Sequence, residues 1–334
     1  MRKSNIFLFL FINFSLVAFS QVIKGTIKDK KTEQTICYAA VYFDGTFAGT
    51  QSDMDGNFEL NISTNSSMPL TISCVGYYSV TLPVNTGKPL QIYLTPKAYD
   101  VDGIVVSSKS RVGQRQKNLA LFKSVFLGTT ANAKLCYILN EKDITFNYAA
   151  DDDTLRAFAS KPILIFNKGL GYKITYFLDR FEYYKKDSSF LFKGNNIFTD
   201  DLINDEKHEQ FYKRKREVAY IGSRMHFFRT LWANNLIASG FTVKDSFGEY
   251  LNYENIVIKE NLSPFGPLNS STKLLTAKKN MQISYFSNLT KVVFLKQKVF
   301  FNENGYFDQL GIYWDGDMAL QRIGDMLPYD YQNN

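Results

Sequence analysis

Histidine and cysteine are scarce in this chain of 334 residues, and their scarcity limits its chemistry. The two histidines are His208 and His226. A zinc peptidase site needs two His and one Glu as ligands, with a further Glu and an Arg to act on the substrate. Neither histidine begins a His-x-x-Glu pair, because Phe211 and Arg229 stand at the third position after them. We therefore expect no metal site, no cofactor and no catalytic residue.

The three cysteines, Cys37, Cys74 and Cys136, leave one thiol unpaired in any arrangement. None of them forms a Cys-x-x-Cys pair or lies beside a histidine, so a disulfide framework is excluded. Cys37 and Cys74 both fall in apolar, β-branched segments. The sequence leaves two states open for them, a single bridge or buried free thiols that behave as small hydrophobic side chains.

One hydrophobic run is long, and it lies at the amino end. Arg2 and Lys3 precede an apolar stretch over residues 6–19, and the small-residue pattern of residues 18–20 closes it. These are the parts of a secretory signal peptide, which we place at residues 1–20. The stretch is shorter than the roughly 20 residues that a membrane-spanning helix needs. We expect an exported protein with no transmembrane span after signal removal, periplasmic or associated with the outer membrane or the cell surface, and no nucleic acid as partner.

The remaining composition is typical of a folded, strand-rich chain. Aromatic residues make up 16% of it, with 29 Phe and 21 Tyr, and charged residues make up 21%. About 314 residues remain without the signal peptide, enough for roughly two domains. The formal charge of +7 is a mild excess that favours solubility and, secondarily, anionic surfaces.

Short alternating segments at residues 21–107 predict a small β-sandwich. Within it, Asp53, Asp55 and Gly56 predict a tight hairpin turn, because Asp-Gly suits the positive backbone angles of such turns. The same carboxylates are a weak candidate for calcium, but Glu59 comes too early to complete a calcium loop. The predicted strands are residues 22–27, 39–43, 70–75, 79–82 and 90–94, a strand after the hairpin, and an exit segment at 97–106.

These residues resemble the carboxypeptidase regulatory-like domain, a module common in exported proteins of Bacteroidota. The resemblance implies a transthyretin-like (prealbumin-like), seven-stranded sandwich that is accessory to another domain and carries no catalytic activity. It rests on Gly25-Thr26-Ile27, Ala39-Ala40-Val41, Asp53-Met54-Asp55-Gly56-Asn57-Phe58 and Cys74-Val75-Gly76-Tyr77.

A polar, basic linker at residues 107–115 leads into a second domain, residues 108–334, for which we predict an α+β fold dominated by strands. Helical spacing of apolar residues predicts helices over residues 114–126 and 223–239. The predicted strands are residues 136–140, 143–146, 155–158, 163–166, 172–178, 190–192, 256–259, 281–286, 292–301 and 312–314.

The second domain is similar to that of a Bacteroidota group in which the same sandwich precedes it, and the group implies architecture but no activity. The resemblance rests on the segments at residues 126–129, 136–140, 169–172, 220–229 and 322–329.

Four polar residues in apolar surroundings are candidates for a binding pocket or, as we favour, a structural ion pair between helix and carboxyl-terminal motif: His226, Arg229, Arg322 and Asp325. The densest basic run, which is a solvated face or a grip for phosphate or acidic glycan, consists of Lys213, Arg214, Lys215 and Arg216.

The sequence therefore predicts a non-catalytic cell-envelope protein that binds or scaffolds a glycan or an outer-membrane protein, in an oligomeric state left open. The alternative is a periplasmic hydrolase acting on polysaccharide or peptide, with paired acids at residues 151–153, 200–201 and 205–206. Aromatic residues at 172–184 predict either a packed core or a platform on which sugars stack.

Overall fold

The computed structural model describes residues 22–62, 68–82, 88–97, 110–148, 153–200, 206–260, 272–276 and 280–333. Within these ranges, three β-rich units follow one another along the chain. The predicted class is confirmed: the fold is mainly β, with an amino-terminal sandwich followed by a strand-rich region. The predicted signal peptide and residues 98–109 of the exit segment and linker lie outside the described ranges.

The first unit is a sandwich of two sheets. Its described strands are β1 (Val22–Asp29), β2 (Ala40–Phe43), β3 (Gly49–Gln51), β4 (Asn57–Asn61), β5 (Leu70–Ser73), β6 (Val80–Leu82) and β7 (Leu90–Leu94). One sheet has the order β4-β1-β7, with β1 and β7 parallel, and the other has the order β3-β2-β5-β6. Alternation along β1 turns Ile23 and Ile27 into the core, where both are fully buried.

The middle unit is an antiparallel sheet with one helix on its inner face. Its elements are α1 (Ser110–Phe126), β8 (Cys136–Ile138), β9 (Ile144–Tyr148), β10 (Thr154–Ala159), β11 (Ile163–Asn167), β12 (Tyr172–Tyr184) and β13 (Ser189–Thr199). One edge of β12 pairs with β11 and then β10, and the other edge pairs with β13. Because β8 pairs with β11 and β9 with β10, the described strands form an antiparallel meander whose first two members are each broken in two.

Helix α1 closes the inner face of this sheet with two phenylalanines one turn apart. Phe122 lies 4.7 Å from the ring of Phe181, and Phe126 lies 4.9 Å from the ring of Tyr176. All four side chains are buried. The helical stripe that the sequence predicts here is therefore the face that α1 buries.

The third unit, residues 224–320, surrounds a short helix with two sheets. Helix α2 (Glu206–Tyr220) leads into α3 (Arg224–Trp232), and the remaining elements are β14 (Phe241–Asp245), α4 (Tyr253–Ile256), β15 (Val257–Glu260), β16 (Thr272–Thr276), β17 (Met281–Tyr285), β18 (Asn288–Phe294), β19 (Lys298–Phe301) and β20 (Ile312–Gly316). The described sheets have the orders β14-β17-β18-β20 and β15-β16-β19. Phe227 contacts Phe241 of the first sheet, and Phe228 contacts Phe301 of the second.

The described residues form two hydrophobic cores, although the units number three. One core runs without interruption from the sandwich through the middle sheet to Leu327 and Tyr329 near the carboxyl end. The other lies within the third unit. The first two units are thus packed together as one body.

Several predicted elements are wrong in their extent. The strand predicted at 172–178 continues to Tyr184, and the strand predicted at 190–192 spans Ser189–Thr199. The helix predicted at 223–239 ends at Trp232, because Asn234 adopts a left-handed φ of 53° that no helix interior allows. The strand predicted at 292–301 is two strands, since the chain turns at residues 295–297, where the N–H groups of Leu295 and Lys296 donate to the carbonyl of Gly311. Helices α2 and α4 and strands β3, β14 and β16 were not predicted.

Candidate functional site

The residues before the carboxyl end form a strap that joins all three units, and we call residues 321–331 the C-terminal strap. Arg229 on α3 holds it: the guanidinium donates to the carbonyls of Tyr331 at 2.9 Å and Tyr329 at 3.0 Å, and to that of Asn304 at 3.1 Å. A planar guanidinium can serve several acceptors at once, which a lysine cannot do in the same geometry. Arg229 is therefore a clamp on backbone.

Asp325 anchors the strap to the middle unit. Its carboxylate accepts hydrogen bonds from the Thr130 hydroxyl at 2.8 and 3.0 Å and from the Asn132 amide at 3.0 Å. Burial raises the pKa of Asp325 although these donors oppose the change. Beside it, a Cβ on Gly324 would lie 2.5 Å from the backbone of Ala133, so only glycine allows the strap to approach this closely.

Two arginines of this region carry their charge in low-polarity surroundings. Burial lowers the pKa of Arg224 to about 10, with a further decrease from the charge of Arg322 and an opposing effect of Asp325. Arg224 also donates to the backbone carbonyl of Gln321. The guanidinium of Arg322 lies over the ring of Phe190, 4.4 Å from its centroid, and burial lowers its pKa.

Ser223 caps the start of α3, and His226 contributes to the cap from the first turn. The ring Nδ1 of His226 accepts from the backbone N–H of Gly222 at 3.1 Å, and the backbone N–H of His226 donates to the hydroxyl of Ser223 at 3.0 Å. This reciprocal arrangement satisfies donors that a helix start leaves open. Burial, and then the charge of Arg229, lower the pKa of His226 to about 4, so the imidazole is neutral and able to accept.

The hairpin tip between β2 and β3 inserts between the middle sheet and the strap. Asp44 accepts from the N–H of Asn196 at 2.7 Å, and the carbonyl of Gly45 accepts from the N–H of Tyr329 at 2.7 Å. Asp330 accepts from the N–H of Phe47 at 3.0 Å. Burial raises the pKa of Asp44 to about 7, because the carboxyl lies away from water.

The predicted site residues of α3 and the strap are therefore brought into one region but do not form the predicted pair. Arg229 donates to backbone carbonyls, and Asp325 is bound by Thr130 and Asn132. The charge of Arg224, a residue that the sequence did not single out, acts on Asp325. The side chains of Arg229 and Asp325 hold the units together, and their hydrogen-bond partners lie inside the fold.

The predicted hairpin turn forms at Asp53. Its Oδ1 accepts from the N–H of Asp55 at 2.9 Å and from that of Asn57 at 2.8 Å. Gly56 has a φ of +76°, the conformation for which the Asp-Gly pair was singled out. One oxygen of the Asp53 carboxylate is thus used inside the turn.

The basic run divides into an inner and an outer part of α2. Arg216 faces inward: it donates to the carbonyl of Leu170 at 2.8 Å, pairs with Asp200 at 3.0 Å and stacks on Tyr172 at 3.8 Å from the ring centroid. Three residues face outward and are exposed, namely Lys213, Arg214 and Lys215. Arg216 therefore fixes the helix, and the other three present charge to solvent.

The acidic clusters and the aromatic run of the sequence lie in other settings. Asp153 pairs with Lys185 at 2.6 Å, and Asp200 with Arg216, while residues 151–152, 201 and 205 lie outside the described ranges. The rings of Tyr172, Tyr176 and Phe181 are buried in the core and offer no platform.

An exposed platform lies instead on the outer face of the middle sheet, at the end formed by β8 and β11. Register places Tyr137 beside Phe166 and Phe166 beside Lys173, and the next row contains Leu139 and Leu164. Tyr137 is 48%, Leu139 54% and Leu164 40% exposed, and Phe166 is half-buried. We call these five residues, with Lys168, the exposed platform.

Two lysines lie over the rings of the platform. The ammonium of Lys168 is 5.1 Å from the centroid of Tyr137, and that of Lys173 is 5.0 Å from the centroid of Phe166. The hairpin residue Gly49 packs against Ile197 of β13, so the sandwich borders the platform on that side. The arrangement offers aromatic rings with a cation over each, which suits a ligand that has an apolar face and anionic groups.

The sequence itself contains a signal for this platform. Residues 163–166 of β11 are apolar without alternation, and such a run predicts a strand that is covered on both faces. The inner face is covered by the core. The apolar residues of the outer face therefore call for a partner.

Within the described ranges, no three His, Cys, Asp or Glu side chains are grouped as metal ligands. Among the helices that the structure describes, none combines the length and the apolar character needed to cross a membrane. All three cysteines are free thiols, and Cys37 is exposed rather than buried.

Comparisons with known proteins identify the first unit. Residues 23–106 match the family model of the CarboxypepD_reg-like domain, which confirms the predicted resemblance. Curated proteins gave no match. Among solved structures, one similar chain is a protein of unknown function from Bacteroides fragilis NCTC 9343 for which membrane association has been suggested. It shares 12% identity, with 88% of this chain and 94% of the other covered, at a TM-score of 0.18.

Proposed function

We propose that this chain is a non-catalytic binding module of the bacterial cell envelope, exported to the periplasm or the outer membrane, and that it holds an anionic glycan on the exposed platform. One observation carries the proposal. On an open sheet surface, Tyr137 and Phe166 lie side by side, each with a lysine over its ring. The ring of a sugar packs its C–H face on such aromatic surfaces, and the lysines suit uronate, sulfate or phosphate substituents.

The frame behind the platform supports this function. The inner residues of the same strands, Ile138, Ile163 and Ile165, are buried in the core shared with the sandwich. Side chains on a rigid sheet lose little conformational freedom on binding, which favours affinity. The accessory character of the matched family fits a module that binds rather than reacts.

The test is binding of the chain without residues 1–20 to a panel of acidic and neutral envelope and dietary polysaccharides, by affinity electrophoresis and calorimetry. The same mixtures are assayed for released sugar or peptide. We expect binding to an acidic polysaccharide with no product. Replacing Tyr137 and Phe166 by Ala should weaken it at least tenfold, which corresponds to about 1.4 kcal/mol.

Tyr250→Ala is the matched control, because the ring of Tyr250 also lies under a lysine, 4.4 Å from Lys244, but belongs to another unit. It should leave binding unchanged. Product release that disappears when a carboxylate is mutated would show that the chain is a hydrolase and would contradict the proposal. Equal binding by the platform variant and the control would show that the ligand lies elsewhere.

A further inference from the structure

We infer that the outer face of α2 is a docking surface for a bilayer that contains anionic phospholipid. The helix presents apolar and basic side chains together. Phe211 is 52% and Val218 is 74% exposed, and Ile221, just beyond the helix, is 44% exposed. This inference does not depend on glycan binding by the exposed platform, which lies on the outer face of the middle sheet.

Helical spacing places these side chains on one face. Val218 follows Phe211 by seven residues, or two turns, and Ile221 follows Val218 by three. Arg214 and Lys215 stand between the two apolar positions, and with Gln210 they line a shallow depression. The ammonium of Lys215 is 5.8 Å from the centroid of the Phe211 ring. Large apolar side chains with basic residues beside them are typical of helices that lie in a membrane interface.

The opposite face of α2 is fixed, so the apolar residues cannot turn inward. Arg216 is bound to Leu170, Asp200 and the ring of Tyr172. Tyr220 is buried and lies 5.7 Å from the ring of Tyr331 in the C-terminal strap. The exposed side chains of Phe211, Val218 and Ile221, here called the apolar column, are therefore a constant feature of the fold.

Charge selects the occupant. Arg214 and Lys215 are exposed, and helical spacing places them on either side of Phe211 and Val218. Lysine and arginine can extend their charged ends to the phosphate groups of lipids while their apolar stems, with Phe211 and Val218, enter the interface. An anionic bilayer satisfies both kinds of side chain, whereas a soluble anionic polymer would leave the apolar column in water.

The test is co-flotation of the chain without residues 1–20 with vesicles of phosphatidylcholine containing phosphatidylglycerol, and with vesicles of phosphatidylcholine alone. We expect binding to the anionic vesicles only. Replacing Arg214 and Lys215 by Gln should weaken it roughly fivefold for each charge removed. Replacing Phe211 and Val218 by Ser should weaken it at least as much. Raising the salt concentration should reduce binding, since the charges are exposed.

Two matched controls keep this test independent of net charge and hydrophobicity. The variant with Lys30→Gln and Lys31→Gln loses the same charge from the sandwich. The variant with Ile237→Ser and Phe247→Ser loses side chains that are 84% and 71% exposed in the third unit. Both controls should bind like the parent. The inference is overturned if the chain does not bind anionic vesicles, or if the variants and the controls lose binding equally. It is also overturned if α2 variants that circular dichroism shows to be folded still bind like the parent.

Discussion

The sandwich at residues 22–97 and the third unit at residues 224–320 each contain, in their described residues, one three-stranded and one four-stranded sheet. They fill the space between the sheets in different ways. In the sandwich, aliphatic residues such as Ile27, Val41 and Ile72 bring the sheets together directly. In the third unit, α3 lies against both sheets, and aromatic rings dominate the contacts.

The two cores also differ in how far they extend. The sandwich shares its core with the middle unit, so its outer surface is completed by another part of the chain. The third unit surrounds its own helix and has a separate core. Units with similar strand numbers can therefore differ in independence, and we expect them to unfold separately.

The largest expected effect comes from Phe228→Ala. The Phe228 ring is fully buried and lies 4.4 Å from the ring of Phe307 and 6.2 Å from that of Trp314. Its removal should destabilise the third unit by about 3–5 kcal/mol. Tryptophan emission reports this unit alone, because Trp232 and Trp314 are the two tryptophans of the chain.

Denaturant titration followed by tryptophan emission should show this loss. The unfolding transition of the first two units, followed by circular dichroism, should change little. The exposed Phe247 provides the control substitution, Phe247→Ala, with a change below about 0.5 kcal/mol. A common shift of both signals in Phe228→Ala would mean that the two cores unfold as one.

A smaller effect is expected from Arg229→Met, which tests the connection between the cores. The substitution leaves three backbone carbonyls without their donor and should destabilise the junction by roughly 2–4 kcal/mol. Limited proteolysis should then cut the C-terminal strap while tryptophan emission still shows a folded third unit. Arg229→Lys should recover only part of the protection, and full protection in Arg229→Met would exclude a clamping role.

The pH dependence should differ in sign between the two units. In the sandwich, Asp44 has a pKa of about 7 when folded and the usual 3.8 when unfolded. Between these values the folded state holds a proton that the unfolded state has lost, so stability falls as pH rises. From about pH 6 to pH 8 the loss should be about 1.4 kcal/mol. Urea titrations followed by circular dichroism should show it, and Asp44→Asn should remove it.

In the third unit, the change should occur on the acidic side. His226 has a pKa of about 4 when folded and the usual 6.5 when unfolded, so the unfolded state binds the proton first and stability falls as pH decreases. The loss from about pH 6 to pH 5 should be about 1 kcal/mol in tryptophan-monitored urea titrations. His226→Asn keeps an acceptor for Gly222 and should flatten this dependence; an unchanged slope would assign it to another group.

Local signals explain what the sequence could predict. The turn at Asp53 and Gly56 depends on neighbours within four residues, and the stripe of α1 on spacing within one helix. Helix α2 escaped prediction because its exposed face carries both apolar and basic side chains, so no polar face contrasts with a buried one. The end of α3 depended on the conformation of Asn234, which propensity alone does not decide.

The candidate sites depend on contacts that no local pattern contains. Tyr137 and Phe166 meet only because of the register between β8 and β11. Arg229 was singled out as a charge that needs a partner, and its acceptors turned out to be backbone carbonyls that sequence does not distinguish. Residue type identified the need for partners, but only the fold supplied them.

The C-terminal strap also determines the order in which this molecule can be completed. The bond from Phe47 to Asp330 joins residues 283 positions apart, so it closes one of the longest loops that the chain permits. Contacts of such separation form late and slowly, because the loop must be ordered before the contact stabilises it. A chain still being synthesised cannot join its sandwich to α3 through the strap until residues 329–331 have been made.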